Sequence, residues 1–332
     1  MRNIAPTFSP DARSLILLWA FAESGIGGML HAFRLPFTGI FVGGLAIICI
    51  GLLGYYQEKG SRQILEALGI VLLVKLTISP HSPWQAYFAV VFQGYLGYLI
   101  FTSKHHFKAK VLIFSVLCMF ESAFQKVIIA SLILGNNFLK SVDQAAVAIA
   151  NSLGLSANVS AVWLIFVCYV LIHIVLGMYL GLWIPKIPKQ LTDLSENMPN
   201  FESSSSKYQK VAGSYRKVFV LGMMVFALVL VGLKYWLPHL HTIDLIFIFL
   251  RTLAVSLLLI FVVGPLIKKL IAAQSTDAQV DKRLLQDVMS DIPAFSQQAF
   301  DWLNYVRNNM TGFQRIKTFI LGLLVISAKF KV

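Results

Sequence analysis

Charged and polar side chains of this chain lie inside long apolar stretches, where an unpaired charge is costly. Glu23, for example, lies among apolar and small residues in the stretch FAESGIGGML, residues 21–30. A charged group in a membrane-like medium costs several kilocalories per mole unless it is paired or hydrated. Each such residue is therefore a candidate for contact with a solute or an ion. The candidate substrate-binding residues are Glu23, Lys75, Glu121, Gln125, Lys126 and His173.

The spacing of these residues leaves two interpretations open. Glu121 and Gln125 share one helix face with Cys118, whereas Lys126 lies about 140° around the helix from Glu121. In the first interpretation the residues hold a small polar or anionic solute, with Lys75 and Lys126 as charge partners and Glu121 or Glu23 as acceptors. In the second, Glu23 with Lys126, or Glu121 with Lys75, forms an interhelical salt bridge. His173 taken alone is typical of a core histidine.

The elements that carry these residues are predicted to be transmembrane helices. Hydrophobic residues make up 57% of the 332 residues and charged residues only 13%, whereas soluble proteins have about 45–50% and about 25%. Apolar blocks of about 20 residues are long enough to cross a bilayer. The sequence predicts an all-α, polytopic integral membrane helix bundle of about eight spans. They cover residues 14–33, 37–56, 63–79, 84–102, 111–134, 161–184, 216–236 and 242–266.

The connections between these spans alternate in positive charge. Lysine and arginine are frequent after every second span and scarce in the other connections. This positive-inside pattern predicts a multi-pass protein of the cell (inner) membrane with both termini in the cytoplasm. With that topology, the charged candidates occupy the middle and outer half of the first six helices. We expect an outward-facing pocket that is closed on the inner side by apolar packing.

Changes in composition along the chain predict four regions. Residues 1–190 form a six-helix transmembrane core, 191–215 a polar cytoplasmic linker, 216–270 a transmembrane hairpin that contains Arg251, and 271–332 a cytoplasmic amphipathic helical tail. The apolar run from Thr318 to Ala328 is too short to span a bilayer. It could lie on the membrane surface, or it could dock on a partner or on the helix bundle.

A stripe of small residues crosses the first predicted span. Ala20, Ser24 and Gly28 are spaced by four, and such a stripe lets a second helix approach closely within lipid. We interpret these three residues as candidates for docking a partner, while Glu23 lies about 100° away from them.

Several function classes lack their motifs in this sequence. We find no paired-aspartate diphosphate motif, histidine-rich metal box, Gly-x-Ser-x-Gly or Walker A sequence. Cys49, Cys118 and Cys168 show neither metal-ligand nor disulfide spacing. We predict no cofactor, and we consider a non-enzyme more consistent with the sequence than an enzyme. The net charge of +13 is explained by topology and not by nucleic-acid binding.

The segments AFAESGIGG, LPFTGIFVGGLAI and SPHSPWQAYFAVVFQG carry a resemblance to a known family. Residues 14–185 resemble the substrate-binding (S) components of energy-coupling factor vitamin transporters. The resemblance implies that the small-residue stripe docks on a transmembrane coupling subunit served by a cytoplasmic ATPase, and that the solute binds near the outer surface. The linker, the hairpin and the tail depart from the family pattern.

The sequence is therefore consistent with three functions. The first is a solute-binding or transport protein with membrane lipids, a small-molecule solute and a coupling subunit as partners. The second is an integral membrane enzyme that acts on a lipid or isoprenoid substrate. The third is a membrane scaffold whose tail recruits a cytoplasmic partner.

Overall fold

The structure is a computed structural model that describes residues 10–32, 38–56, 61–79, 82–152, 160–198 and 278–329, with isolated helical positions between 224 and 265. Every element in these residues is helical, which confirms the all-α class for this part of the chain. The α-helices are α1 (Ala12–Phe21), α2 (Gly27–Ala32), α3 (Thr38–Tyr56), α4 (Arg62–Ile78), α5 (Trp84–Ile100), α6 (Phe107–Ser152), α7 (Ala161–Trp183), α8 (Ile187–Asn197), α9 (Ala278–Asn309) and α10 (Gly312–Lys329). A π-helical turn, Ala22–Ile26, joins α1 to α2, and a 3₁₀ turn, Ile184–Lys186, joins α7 to α8.

Three segments are long and apolar enough to cross a membrane, judged by length and composition within the described residues. They are Thr38–Tyr56, Phe107–Leu132 and Ala161–Glu196. Helices α4 and α5 have 17 residues each, which is about 25 Å. The spans predicted at 216–236 and 242–266, with Arg251, lie outside the described residues apart from isolated positions. The count of eight spans therefore stays a prediction.

Polar side chains determine where two of the helices begin. The Asp11 carboxylate accepts the backbone N–H of Ser14 (2.8 Å), which is a typical helix N-cap. Ser160 caps α7 through the backbone N–H of Trp163 (3.2 Å). These caps provide acceptors for N–H groups that have no partner within the first turn.

A half-buried carboxylate of α6 bonds residues at the beginning of α7. Asp143 of α6 accepts the backbone N–H of Val162 (2.9 Å) and the hydroxyl of Ser160 (2.7 Å). These hydrogen bonds, that of Val162 foremost, hold the pKa of Asp143 below its ordinary value. Gly135 interrupts α6 with φ +72°, a left-handed conformation that glycine adopts without steric cost.

Helix α1 is enclosed by other helices on all sides. Residues 15–22 are each at most 7% exposed. Helices α3, α4, α9 and α10 surround them. An amphipathic helix at a protein surface buries only one face, so an apolar helix that is buried all round belongs to the centre of the bundle.

The C-terminal helices α9 and α10 are part of this core. The buried side chains of α9 alternate in spacing between four and three residues, which forms one continuous apolar face: Val288, Ile292, Phe295, Ala299, Trp302 and Val306. Phe295 packs edge to face on Phe21, with ring centroids 5.0 Å apart. Arg13 donates to Asp291 (2.8 Å). Residues 321–327 of α10 are buried against α1 and α8, so the apolar run from Thr318 to Ala328 docks on the bundle.

Helix α8 extends to Asn197, past the start of the linker predicted at residue 191. Residues 199–215 of this linker lie outside the described part of the chain. The division into four regions therefore stays a prediction.

We predict that Gly322→Ala destabilises the protein because the indole of Trp302 occupies the space that a Cβ would need. Trp302 is 1% exposed and donates to the carbonyl of Phe319 (3.1 Å), so it cannot move without loss of that bond. Overpacking of this kind costs about 1–3 kcal/mol. Thermal unfolding of the purified protein would show a lower Tm.

Gly44→Ala is the matched control, because its Cβ would meet only ordinary van der Waals contacts at 3.6 and 3.7 Å. Alanine is favoured over glycine within helices by about 1 kcal/mol. This variant should be unchanged or more stable. Equal Tm values for Gly322→Ala and Gly44→Ala would contradict the packing described for Trp302.

Candidate functional site

Buried polar side chains gather at the end of the bundle where α2 and α4 end and where α3 and α5 begin. The ammonium group of Lys75, near the end of α4, lies 3.4 Å from the carbonyl of Ala86 at the start of α5. A Cβ on Gly28 of α2 would lie 2.7 Å from the hydroxyl of Ser79. The opposite halves of α1, α3 and α4 pack through apolar side chains. We refer to this end as the polar end.

The strongest interaction of the polar end is an ion pair between α4 and the π-helical turn. Lys75 Nζ lies 2.6 Å from Glu23 Oε2, and the two side chains are 0% and 5% exposed. At this distance the hydrogen bond is charge-assisted and short. The pairings considered from the sequence, Glu23 with Lys126 and Glu121 with Lys75, are not the one formed.

The remaining surroundings of Lys75 come from the segment 79–87. The ring of Tyr87 lies beneath the ammonium group, 5.6 Å from its centroid, within the range of a cation–π contact. The Tyr87 hydroxyl donates to the carbonyl of Ser79 (3.0 Å), and the hydroxyls of Ser79 and Ser82 lie 2.7 Å apart. Lys75 therefore has a carboxylate, a carbonyl and an aromatic ring as neighbours, and the two oxygen atoms accept from its ammonium group.

The π-helical turn positions Glu23. The N–H of Gly27 bonds the carbonyl of Ala22, five residues earlier, whereas an α-helix bonds four residues back. Such turns change the direction of the side chains that follow and are frequent at functional sites. The hydroxyl of Ser24 bonds the carbonyl of Ala20.

A second group of polar side chains lies between α5 and α6. Both carboxylate oxygens of Glu121 are buried, and neither has a hydrogen-bond partner among the residues that the structure describes. The same holds for Oε1 of Gln85 and of Gln93, and Gln93 is only 2% exposed. Buried polar groups are satisfied in the large majority of cases. Glu121 and Gln93 therefore point to a partner outside the residues that the structure describes.

Contacts along α5 and α6 define the register of this group. Gln125 Nε2 donates to the backbone carbonyl of Gln85 (3.2 Å), and the ring of Phe114 lies 3.6 Å from the position of a Cβ on Gly97. In this antiparallel register Gln93 is level with Cys118, and Glu121 lies between the levels of Gln85 and Gln93. Helix α3 approaches closely here, because a Cβ on Gly43 would lie 3.3 Å from Gln93 Nε2.

Among the described residues, no hydrogen bond or ion pair joins His173 or Lys126 to either group. His173 is 1% exposed, and its Nδ1 lies 2.9 Å from the carbonyl of Tyr169 in the preceding turn. It lies on the same stripe as Gly177 of α7, whose Cβ would lie 2.9 Å from Ser115 O of α6. Lys126 is half-buried and forms no ion pair within the described part of the chain. Both residues stay candidate solute contacts from the sequence alone.

The small-residue stripe of the first helix is covered within the chain. Ala20 and Ser24 are 0% and 3% exposed, and Gly28 is buried against Ser79. The close helix approach that the stripe permits is therefore made here by helices of the same chain. Docking of a separate subunit stays a prediction.

The sequence patterns predicted neither Gln85 nor Gln93 as a site residue, and they did not identify Glu23 and Lys75 as partners. Gln85 has the helical spacing of eight residues from Gln93, and this was the available signal. In the described ranges no group of three or more His, Cys, Asp or Glu side chains is arranged to hold a metal ion. Cys49, Cys118 and Cys168 are free thiols.

No protein-family model matches this sequence, and neither the curated proteins nor the solved structures give a match. The resemblance to S components therefore stays a prediction that rests on the motifs in residues 14–185.

We predict that either Glu23→Leu or Lys75→Met alone lowers the free energy of unfolding by about 3–5 kcal/mol, because each leaves a buried charge without its partner. The double variant Glu23→Leu/Lys75→Met should recover most of this loss, since no charge remains. A double-mutant cycle on the purified protein measures the coupling energy between Glu23 and Lys75. Glu196→Gln, on the exposed side of α8, is the control substitution. Additive effects of the two substitutions would refute the pairing.

Proposed function

We propose that this protein is an integral membrane protein, similar in architecture to an S component, that binds and transports a small polar solute through a pocket open to the outer face. The observation that carries the binding proposal is Glu121, whose two buried carboxylate oxygens have no partner among the described residues. Exposed apolar side chains support the membrane location, and the positions of basic residues support the orientation.

Helix α7 supports the membrane location because most of its large apolar side chains are exposed. Trp163 is 67% exposed, Leu182 60% and Val175 57%. Helix α5 exposes a stripe at spacings of three and four: Trp84, Phe88, Val91, Tyr95 and Leu99. Soluble monomers rarely expose contiguous apolar patches of this size. Lipid solvates such surfaces, and helices satisfy their own backbone hydrogen bonds within it.

The orientation follows from the basic residues at the two ends of the bundle. Lys104 and Lys108, between α5 and α6, are exposed, as are Lys186 and Lys189 after α7. These residues lie at the end opposite the polar end. Under the positive-inside rule the basic end is cytoplasmic and the polar end faces outward. With the eight spans proposed from the sequence, both termini are then cytoplasmic.

The partners of this function come from the resemblance. A transmembrane coupling subunit and a cytoplasmic ATPase would supply the energy, since the sequence contains no Walker A motif of its own. Because Ala20, Ser24 and Gly28 are covered by helices of the same chain, docking through this stripe requires those helices to move.

We predict that two exposed positions, His105 in the α5–α6 connection and Ser141 in the outer part of α6, lie on opposite sides of the membrane. Ser141→Cys in a cysteine-free background should react with a membrane-impermeant maleimide on intact spheroplasts, and His105→Cys should react only after permeabilisation. The two variants are matched controls for each other. Equal labelling of both, or recovery of the protein in the soluble fraction, would reject the topology.

We predict that a thermal-shift screen of the purified protein in detergent identifies a stabilising solute among water-soluble vitamins, nucleobases, small anions and small amines. A solute at 100 times its Kd stabilises by about 2.7 kcal/mol. The response should be lost in Glu121→Gln and kept in Glu196→Gln, which changes the same group at an exposed position. No stabilising solute from any class would count against the binding function.

A further inference from the structure

We propose that the group recognised at the α5–α6 site is a monovalent cation, best matched by the primary ammonium group of a small organic amine, and that Glu121 and Gln93 bind it. This inference rests on the proposed solute-binding function. It replaces the polar or anionic solute expected from the sequence by a cationic one.

First, Lys75 is paired with Glu23 and therefore does not serve as an anion-binding residue. It is 0% exposed and lies 2.6 Å from Glu23 Oε2, with Ala86 O and the ring of Tyr87 as its other neighbours. A solute anion would have to displace the Glu23 carboxylate, which is buried beside Lys75. One of the two cations that the sequence offered to an anionic solute is thereby neutralised inside the chain.

The second step is that the unpartnered atoms of the α5–α6 site are all acceptors. In the described residues they are Oε1 of Gln85, Oε1 of Gln93 and both carboxylate oxygens of Glu121. The remaining buried atom without a partner, Trp19 Nε1, belongs to the enclosed helix α1 and lies one turn before Glu23. A site that offers only oxygen atoms with free lone pairs complements a ligand that donates.

The third step is that the register of α5 and α6 places these acceptors at neighbouring levels along the two helices. With Gln93 level with Cys118, Glu121 is displaced along the helix axis by three residues, or about 4.5 Å. Gln93 is 2% exposed and is approached by Gly43 of α3. An ammonium group has three N–H donors, which equals the number of unpartnered oxygens on Glu121 and Gln93.

The fourth step is the charge of the site. Glu121 is its one carboxylate, and the amides of Gln85 and Gln93 are neutral. The described chain contains no group of three or more potential metal ligands of the His, Cys, Asp or Glu type, whereas divalent ions in proteins are usually held by several carboxylates. One negative charge among neutral oxygens balances one positive charge.

The experiment measures the Tm of the full chain in detergent with ethylammonium chloride as the probe. Three further salts are compared at the same ionic strength. Sodium propionate supplies an anion of the same size, and tetramethylammonium chloride supplies a cation without N–H donors. Sodium chloride supplies an inorganic cation. The variants are Glu121→Gln, which removes the charge and keeps the shape, Gln93→Leu, which removes the amide, and the exposed control Glu196→Gln.

We expect ethylammonium to raise the Tm of the wild type and of Glu196→Gln, with an apparent affinity at least tenfold weaker in Glu121→Gln and weaker in Gln93→Leu. If sodium stabilises the wild type and this effect requires Glu121, the result also supports a monovalent-cation site. The bound cation would then be the inorganic ion. Glu121→Gln should fold, since glutamine removes a buried charge.

The cation proposal is overturned if ethylammonium and sodium both leave the wild type unchanged, or if Glu121→Gln responds as the wild type does. Stabilisation by propionate, or by another solute of the screen, would in that case keep the solute-binding function and reject only the cation. If no solute stabilises the protein, both the cation proposal and the solute-binding function are rejected. An unchanged Tm of Glu121→Gln without any ligand effect is the result expected for a buried neutral acid, and it would likewise reject the cation.

Discussion

The structure depends on the neutralisation of two buried charges at the polar end of an otherwise apolar bundle. Glu23 and Lys75 are almost completely buried, and a single buried charge costs several kilocalories per mole. Each side chain is therefore tolerated only because the other is within hydrogen-bond distance. The pair determines the relative height and rotation of α1 and α4, and the contacts of Lys75 with Ala86 and Tyr87 extend the constraint to α5. The α5–α6 site lies beside this constrained part of the bundle.

The helices of the core were predictable because each depends on its own stretch of sequence. The predicted spans 37–56, 63–79, 84–102 and 161–184 agree with α3, α4, α5 and α7 within two residues, since long apolar runs and flanking Pro83 and Ser160 determine those ends. The partner of Glu23 was not predictable. Lys75 and Lys126 are both within an apolar run, and the choice between them depends on which helices are neighbours, which no local pattern encodes.

The π-helical turn and the position of the tail also escaped prediction. A stripe at Ala20, Ser24 and Gly28 assumes uninterrupted α-helical spacing, and the bond from Gly27 to Ala22 breaks that spacing. The apolar face of α9 has a helical period, but a period shows only that a face is covered and not by what. Of the candidate site, Glu121 was predictable from its type and place, whereas its lack of a partner is a property of the assembled bundle.

Helix α1 is synthesised long before two of the helices that enclose it. Arg13 and Asp291 are 278 residues apart in sequence, and ribosomes add about 5–20 residues per second. The first helix therefore leaves the ribosome roughly 15–55 s before the helices α9 and α10 that cover it. During this interval residues 15–22 have no α9 or α10 to pack against, and a biosynthetic chaperone or lipid must cover them in the meantime. A chain that ends before α9 would keep this helix uncovered permanently, which offers quality-control proteases a direct mark of an incomplete protein.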